Sequence, residues 1–571
     1  MKLRHAIFCS LLFCSAVHAA KEVPDFALLD FKGRYHHLRH TDAKAVVLFF
    51  TANGCPVARQ SIPRLRKLNE QFESKGIRVW LVNSTTSDDR ESIWKESQEF
   101  HTKGLPVLLD ESQGVASMLD VKRTGTAVCI ETKGWTVIYR GAIDDQLVEG
   151  SQKPAPTEKY IETALQEFVA GKDVTKAETA ARGCIISFSN KEPVSYSTQI
   201  APLLANKCFG CHSPGNIGPI KLTSYDKVKG VADMIQEVLL ARRMPPWHAD
   251  RQYGTFVNDC SLSADESRTL LRWIEQGAKR DGSEDPLRNA SIPSKDWLLG
   301  QPDAIVSLPK VEEIPATGVL EYRHIQVASP FDRDVWVKGI VAKPDNTRVV
   351  HHVIVRAKEH ASDDNNNADD AFLLGWAPGT PEMFFPAGTG KLIKKGSVLD
   401  FEMHYTTSGR EEKDQSSIGI YLLEDKPEMV LKTRAALDLE FEIPPGDAAK
   451  TTFANYAVKR ESILYDMAPH MHLRGSWFKY EALYPNGKRE TLLSVPKYDF
   501  KWQHSYRLKE PKRLPAGTWI LCSGGFDNSS RNPANPNPST TVRWGDQSFD
   551  EMFIGFMDLA EVPKKQLAAQ K

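Results

Sequence analysis

Hydrophobic periodicity changes character twice along this chain, and each change marks a segment that cannot share a core with the next. Up to about Lys172, short apolar runs alternate with helical stretches. From about Cys184 to Pro293 the pattern is helical, and from about Asp296 onward a period of two recurs between Pro, Gly and Asn turns. With 571 residues the chain is also too long for one hydrophobic core. The implied boundaries are 21–176, 184–292, 297–432 and 433–565, with 1–20 set apart. The expected fold class is multidomain: an α/β domain, an all-α domain and two all-β, jelly-roll-like sandwiches.

The stretch set apart, "MKLRHAIFCSLLFCSAVHAA", reads as a secretory signal. Lys2 and Arg4 form its basic start, Ala6 to Ala16 its apolar stretch, and "VHA" or "HAA" its cleavage region. It is too short for a mature membrane helix, and no later apolar run reaches that length. Phe13 before Cys14 is bulky where a lipoprotein box needs a small residue. The expected product is periplasmic or secreted, without a membrane span. Lys+Arg and Asp+Glu balance at 73 each, so no global field favours nucleic acid or an anionic surface. Cys9 and Cys14 leave with the signal. Cys55, Cys129, Cys184, Cys208, Cys211, Cys260 and Cys522 remain, too scattered for a disulfide framework. Each needs its own role or a buried place.

In the first segment "AVVLFF" (45–50) and "RVWLVNS" (78–84) are strand runs, and Val57 to Ser74 between them has helical periodicity. "AVCIE" (127–131) and "TVIYRG" (136–141) predict a hairpin, and Tyr160 to Val169 a closing helix. Cys55, in "TANGCPVARQSIP", stands at a helix start, where the dipole and free amides favour a thiolate. The segment resembles the thioredoxin-like redoxin family. It departs from the family at Ala58, where the second cysteine of Cys-x-x-Cys belongs, and at Ala127, where a cis-proline does. The pattern argues against a dithiol oxidoreductase. It leaves a one-cysteine peroxide or thiol reaction at Cys55, or an inert docking domain. "YHHLRH" (35–40) is expected to be a solvated loop rather than a metal site.

The second segment centres on "NKCFGCHSPG". Cys-x-x-Cys-His is the attachment signature of c-type haem: Cys208 and Cys211 bond the porphyrin and His212 becomes an axial ligand. A zinc site would want a second Cys/His pair nearby, and there is none. One long helix through "SYDKVKGVADMIQEVLLARR" is expected to present Met244 as the sixth ligand, with His248 as the alternative and Met234 as packing. A Ser263/Glu266 capping box opens the last helix. The segment resembles a small cytochrome c domain. Cys184 and Cys260 flank it as a candidate disulfide.

The third segment carries "VVHHVIV" (His351, His352), "FEMHYTT" (His404), "PHMHLRG" (His470, His472) and "FDEMFIGFMDL" (Met552). On a strand, His470 and His472 share a face, whereas adjacent His351 and His352 face opposite ways unless the strand bends. In this order and spacing the clusters resemble the copper type II, ascorbate-dependent monooxygenases, the peptidylglycine α-hydroxylating and dopamine β-monooxygenase family. The resemblance implies two copper ions. One is held by His351, His352 and His404, the other by His470, His472 and Met552. Imidazole suits both copper oxidation states and a thioether favours Cu(I). Ile554, Phe556 and Ala468 stand where the peptide-hydroxylating members have Asn, Tyr and Arg, so the groups that grip a peptide carboxylate are absent. Ile554, Phe556 and Trp544 suggest a more apolar ligand.

The combined expectation is an exported copper-dependent monooxygenase. It would hydroxylate a C–H bond of a small, non-peptide substrate with O2. Electrons would come from its own haem, an ascorbate-like reductant or a redox protein, and Cys55 would consume leaked peroxide. The alternatives are a non-hydroxylating electron-transfer or copper-handling protein, or a thiol peroxidase acting through Cys55.

Overall fold

The computed structural model describes residues 22–148, 151–188, 192–291, 297–360 and 371–564. The expected signal at 1–20, residues 361–370 of the Asp- and Asn-rich stretch "HASDDNNNADD" and residues 292–296 between the second and third segments lie outside them. The chain divides into two units. The first contains Thr41–Ser189 and the second Ala27–His40 and Asn190–Lys571.

In the first unit, β1 (Ala45–Thr51), β2 (Ile77–Asn83), β3 (Val107–Leu109), β4 (Ala127–Glu131) and β5 (Val137–Gly141) form one sheet. Its order is β3-β2-β1-β4-β5. β1 is buried on both faces from Ala45 to Phe50 and pairs parallel with β2, as continuous apolar runs in parallel sheets do. The expected hairpin is the antiparallel β4–β5 pair. Helix α1 (Pro56–Phe72) buries Ile62, Leu65, Leu68 and Phe72 and leaves Pro63 on its exposed side. The unit also holds α2 (Arg90–Glu99), α3 (Gly114–Met118) and α4 (Tyr160–Val169).

In the second unit "YHHLRH" is not a loop. Tyr35–His37 pairs antiparallel with Ala27–Leu29, a 3-10 turn follows at Leu38–His40, and His36 Nε2 lies 3.1 Å from Asp30 Oδ2. The helices α5 (Ala201–Lys207), α6 (Phe209–His212), α7 (Tyr225–Lys229), α8 (Ala232–Leu240) and α9 (Ala264–Glu275) surround a core containing Tyr196, Leu204, Phe209, Leu270 and Trp273. The single long helix expected before Met244 is broken into α7 and α8 at Gly230, a poor helix former. The capping box at α9 forms as expected: Ser263 Oγ accepts the Glu266 N–H, and Glu266 Oε2 accepts that of Ser263.

The β region contains β6 (Ala304–Ser307), β7 (Arg323–Ala328), β8 (Val335–Lys343), β9 (Val350–Lys358), β10 (Phe372–Trp376), β11 (Thr389–Ile393), β12 (Val398–Tyr405) and β13 (Ser417–Leu422). It continues with β14 (Met429–Leu437), β15 (Lys450–Ala457), β16 (Ser462–His470), β17 (Gly475–Leu483), β18 (Arg489–Val495), β19 (Tyr506–Leu514), β20 (Trp519–Phe526) and β21 (Ile554–Glu561). One eight-stranded sheet, β6-β13-β8-β11-β14-β21-β16-β19, is shared by both halves. A four-stranded sheet, β7-β12-β9-β10, packs on the first half through Val337, Ile340, Val355 and Phe401. Another, β15-β20-β17-β18, packs on the second through Met467, Phe478, Tyr480 and Phe526.

The boundary expected between 432 and 433 therefore falls inside a strand. β14 pairs parallel with β11 at Met429 and Val430, then antiparallel with β21 from Leu431 to Leu437. Buried Lys391 supports the seam, donating to Thr433 Oγ1 at 2.9 Å, while Thr433 donates to Asp558 Oδ1 at 2.6 Å. Gly555 of β21 lies against Cys522, and a Cβ there would stand 2.5 Å from its Sγ. Gly555→Ala is expected to lower stability by about 1–3 kcal/mol through overpacking, read as a shifted denaturant midpoint.

Candidate functional site

In the first unit Cys55 is the N-cap of α1 and is 2% exposed. Its Sγ lies 3.0 Å from Thr124 Oγ1 and receives a hydrogen bond from the Cys184 thiol at 3.3 Å. Burial opposes ionisation of Cys55. The hydrogen bonds from Thr124, from the backbone at Cys184 and Ala58, and from the Cys184 thiol outweigh it, so the Cys55 thiol titrates below its ordinary value. Burial and the nearby Cys55 push Cys184 the other way. The suggested Cys184–Cys260 disulfide is not formed. Both are free thiols, and Cys184 meets Cys55 instead. Sequence reasoning missed this because the partner of Cys55 lies 129 positions away rather than in a Cys-x-x-Cys turn.

In the second unit Cys208 caps α6, which carries Cys211 and His212. His212 Nδ1 lies 2.7 Å from the Ile220 carbonyl. That contact fixes Nδ1 as the protonated nitrogen and leaves Nε2 free, the arrangement an axial haem ligand needs. Both thiols are half-buried and unpaired, so the residues fit thioether attachment. Met244 is half-buried on the turn after α8. His248 is buried towards Lys497, His504 and Arg242, and burial holds it well below the usual histidine range. The neighbouring Trp247 packs on Phe256 and Tyr506 in the core of the second sandwich, and His504 Nε2 donates to the Pro246 carbonyl at 2.6 Å.

The histidines of the β region gather in two groups. β9 pairs with β12 so that His352 stands opposite His404, and the register shifts between Val350 and His352. That irregularity at His351 is the bend the adjacent pair requires, and the two rings lie 4.2 Å apart between centroids. His352 and His404 are 5.6 Å apart. His470 ends β16, and its ring lies 5.2 Å from that of His472. Phe500 touches both groups, 5.5 Å from His351, 5.9 Å from His352 and 5.7 Å from His472.

Among the described residues no three His, Cys, Asp or Glu side chains are drawn together as a closed ligand set. The orphaned atoms nonetheless fit a metal. His352 Nε2 and His404 Nδ1 are buried without a hydrogen-bond partner. Burial pushes His351 and His470 down to about 4 and His472 to about 3, so these imidazoles are neutral, the form that binds metal. Met552 is half-buried and is joined to the second group through its neighbours: Glu551 Oε2 accepts the His472 N–H at 2.8 Å, and the Asp550 carbonyl lies 3.3 Å from His472 Nδ1.

Several residues that shape these groups carry no motif in the sequence. Glu402 Oε1 accepts from His404 Nε2 at 2.7 Å, Tyr322 stacks on the His404 ring at 3.5 Å, and Gln503 Oε1 meets His470 Nδ1 at 2.6 Å. Glu551 is fully buried, and burial pushes its carboxyl up to about 8. Only its place in "DEM" could have drawn attention to it. Phe556 lies 6.2 Å from His470 and stacks on Phe372, while Ile554 is buried opposite His470 in the ladder.

An AhpC/TSA family profile matches residues 19–143. The chain is similar to the thioredoxin-like protein YneN of Bacillus subtilis (strain 168), at 26% identity over 118 residues covering 21% of this chain and 68% of that protein. It is also similar to the thiol-disulfide oxidoreductase ResA of Geobacillus thermodenitrificans (strain NG80-2), at 25% over 120 residues covering 21% and 67%. A solved structure of an uncharacterized conserved protein from Geobacillus kaustophilus matches at 26% identity, covering 30% of this chain and 93% of that one with a TM-score of 0.28. The family match and the two sequence relatives make the N-terminal part a thioredoxin-like redoxin domain of AhpC/TSA type. The family match ends before Cys208 and the histidine-bearing strands. Among the described residues no helix is long and apolar enough to cross a membrane.

Thr124→Val removes a hydrogen bond to Cys55. The midpoint of Cys55 alkylation against pH, followed by peptide mass mapping, is expected below that of a free cysteine in the wild type. It is expected to move upward in the variant, with a several-fold slower reaction at pH 7.

Proposed function

We propose that this chain is an exported, modular oxidoreductase whose N-terminal unit reacts with a hydroperoxide through the Cys55 thiolate. The observation that carries the reading is Cys55 at the start of α1, ringed by Thr124, the Ala58 amide and Cys184. The AhpC/TSA match and the thiol-redox relatives support it. The helix N-terminus and these donors stabilise the negative sulfur that attacks the peroxide O–O bond. Cys55→Ser is expected to abolish hydroperoxide consumption by the dithiothreitol-fed protein. Unchanged consumption would remove this reading and leave the domain as a docking module.

A second reading applies to the β region, and a specific observation favours it. His351, His352 and His404 on one side, and His470 and His472 on the other, meet around Phe500 although up to 121 positions separate them in sequence. We infer a copper-dependent monooxygenase in which His351, His352 and His404 hold one ion and His470, His472 and Met552 hold the other. Copper bound there would supply one-electron chemistry and an open position for O2. The protein's own part is orientation. Gln503 and the Asp550 carbonyl occupy the Nδ1 atoms of His470 and His472, so their Nε2 atoms are the ones left for metal. Glu551 holds the backbone of the His-x-His turn through the amides of His472 and Arg474. Ile554 and Phe556 give the neighbourhood an apolar character suited to a small non-peptide substrate. The helices around Cys208, Cys211 and His212 would form a cytochrome c-like donor, with Met244 favoured as sixth ligand because His248 faces Lys497 and His504. The reductant feeding it would be ascorbate-like or a redox protein.

Met552→Ala is expected to abolish oxygen-dependent product formation while one copper per chain is retained, measured by metal analysis and O2 uptake with a panel of small apolar substrates. A pure electron carrier or copper-handling protein would instead lose copper affinity with no coupled oxygen uptake in either form.

A further inference from the structure

Cys184 lies beyond residue 143, where the family match ends, on a segment that doubles back over the redoxin sheet. The segment is tied down at both ends. Near its start the Arg140 N–H donates to the Ala177 carbonyl at 2.8 Å, the Thr179 N–H to the Arg140 carbonyl at 2.9 Å, and Tyr139 OH lies 2.7 Å from Thr179 Oγ1. Near its end the Thr124 N–H donates to the Cys184 carbonyl at 2.9 Å, Arg123 forms a β-bridge with Ile185, and the Ile186 N–H donates to the Lys122 carbonyl at 2.9 Å. Gln113 Nε2 adds a bond to the Ser187 carbonyl at 2.9 Å.

The crossing itself demands glycine. A Cβ on Gly183 would stand 1.9 Å from the Thr124 carbonyl oxygen, so no larger residue permits this approach. Gly183 thereby sets the next residue, Cys184, against Thr124 and the Cys55 sulfur. The outcome is a buried thiol and an exposed thiol with sulfurs 3.3 Å apart. Bond formation needs closure to about 2.05 Å. Cys129 and Cys522 are also buried, but burial at both, with Glu131 beside Cys129, raises their thiols far above the ordinary range.

We propose that Cys184 is the resolving thiol of Cys55, so that the strap supplies from 129 positions away the second sulfur that Ala58 does not provide. The inference rests on the reading of Cys55 as a peroxide-reactive thiol. In the first step the Cys55 sulfur attacks one oxygen of a hydroperoxide ROOH. The O–O bond breaks, ROH leaves with a proton, and Cys55 becomes a sulfenic acid. In the second step the Cys184 sulfur attacks Cys55 Sγ, the S–O bond breaks, and hydroxide leaves as water with the Cys184 proton. The sum is two thiols and ROOH giving one disulfide, ROH and water. An external dithiol returns the two electrons, and exposed Cys184 is the sulfur it can reach.

The test uses the full-length, pre-reduced protein, one equivalent of hydrogen peroxide, dimedone as the sulfenic acid trap, and non-reducing peptide mass mapping. Wild type is expected to yield a Cys55–Cys184 cross-linked peptide with little dimedone adduct. Cys184→Ser is expected to lose the cross-link and raise the dimedone adduct on Cys55 several-fold. Because residue 184 is exposed, the serine variant should keep the wild-type far-ultraviolet spectrum, which is checked alongside. A wild-type protein that accumulates the Cys55 adduct without the cross-link, or links Cys55 to another cysteine, overturns the role of Cys184 and leaves the peroxide reading standing. A protein that gives neither adduct nor cross-link in either form overturns both.

Discussion

Strand β14 is the element on which the geometry of the β region depends. Its first two residues extend the sheet of one sandwich and the rest extend that of the other, so a single hydrogen-bonded ladder runs through both. Without that ladder the two histidine groups would sit on separate sandwiches whose mutual position an ordinary interdomain contact leaves free to vary. With it, β9 and β12 on one side and β16 and β21 on the other belong to one body. The Lys391–Thr433–Asp558 chain beneath the seam keeps a buried ammonium satisfied where an apolar residue would have sufficed for packing. Burial still depresses the Lys391 pKa, so the arrangement has an energetic cost that the sheet must offset.

The same region concentrates groups that burial disfavours in their charged forms. His351, His352, His470 and His472 are all held neutral, and Glu551 is raised to about 8. Unfolded histidine takes up a proton below about 6.5 whereas these do not until much lower pH, so on acidification from neutrality their contribution to stability falls. A fold selected for stability alone gains nothing by gathering such side chains. Local departures of this kind are expected where a site has been built.

What the sequence made legible was mostly local. The β1–α1–β2 run with Cys55 at its turn, the Ser263/Glu266 capping box and the alternation of the β strands all depend on neighbours a few positions away, and the structure reproduces them. The two local expectations that the structure overturns, a loop at "YHHLRH" and an unbroken helix through Gly230, gave way to pairing with Ala27–Leu29 and to a weak helix former. What stayed hidden was long-range. No spacing rule announces that residue 184 returns to residue 55, that β14 crosses an expected boundary, or that the bulge at His351 turns two adjacent rings to one side. Phe500 and Gln503 lie in a stretch without periodic signal, and only the folded backbone brings them to the histidines.

The hydrogen bonds around the imidazoles distinguish candidate ligands from packing residues more sharply than proximity does. A histidine kept for packing is most economically buried with both ring nitrogens satisfied, because an unpartnered buried polar atom costs about 1–3 kcal/mol. Here one nitrogen is engaged at four of the candidate ligands, at His212 by the Ile220 carbonyl, at His404 by Glu402, at His470 by Gln503 and at His472 by the Asp550 carbonyl. For His404 the other nitrogen, and for His352 Nε2, is buried with no partner. Such half-satisfied rings are oriented without being filled, the condition under which a lone pair remains for a metal ion. The same division of labour holds at Cys55, where Thr124 and nearby amides steady the sulfur while the Cys184 thiol stands against it. In both units the chain holds its candidate reactive atoms through neighbours remote in sequence.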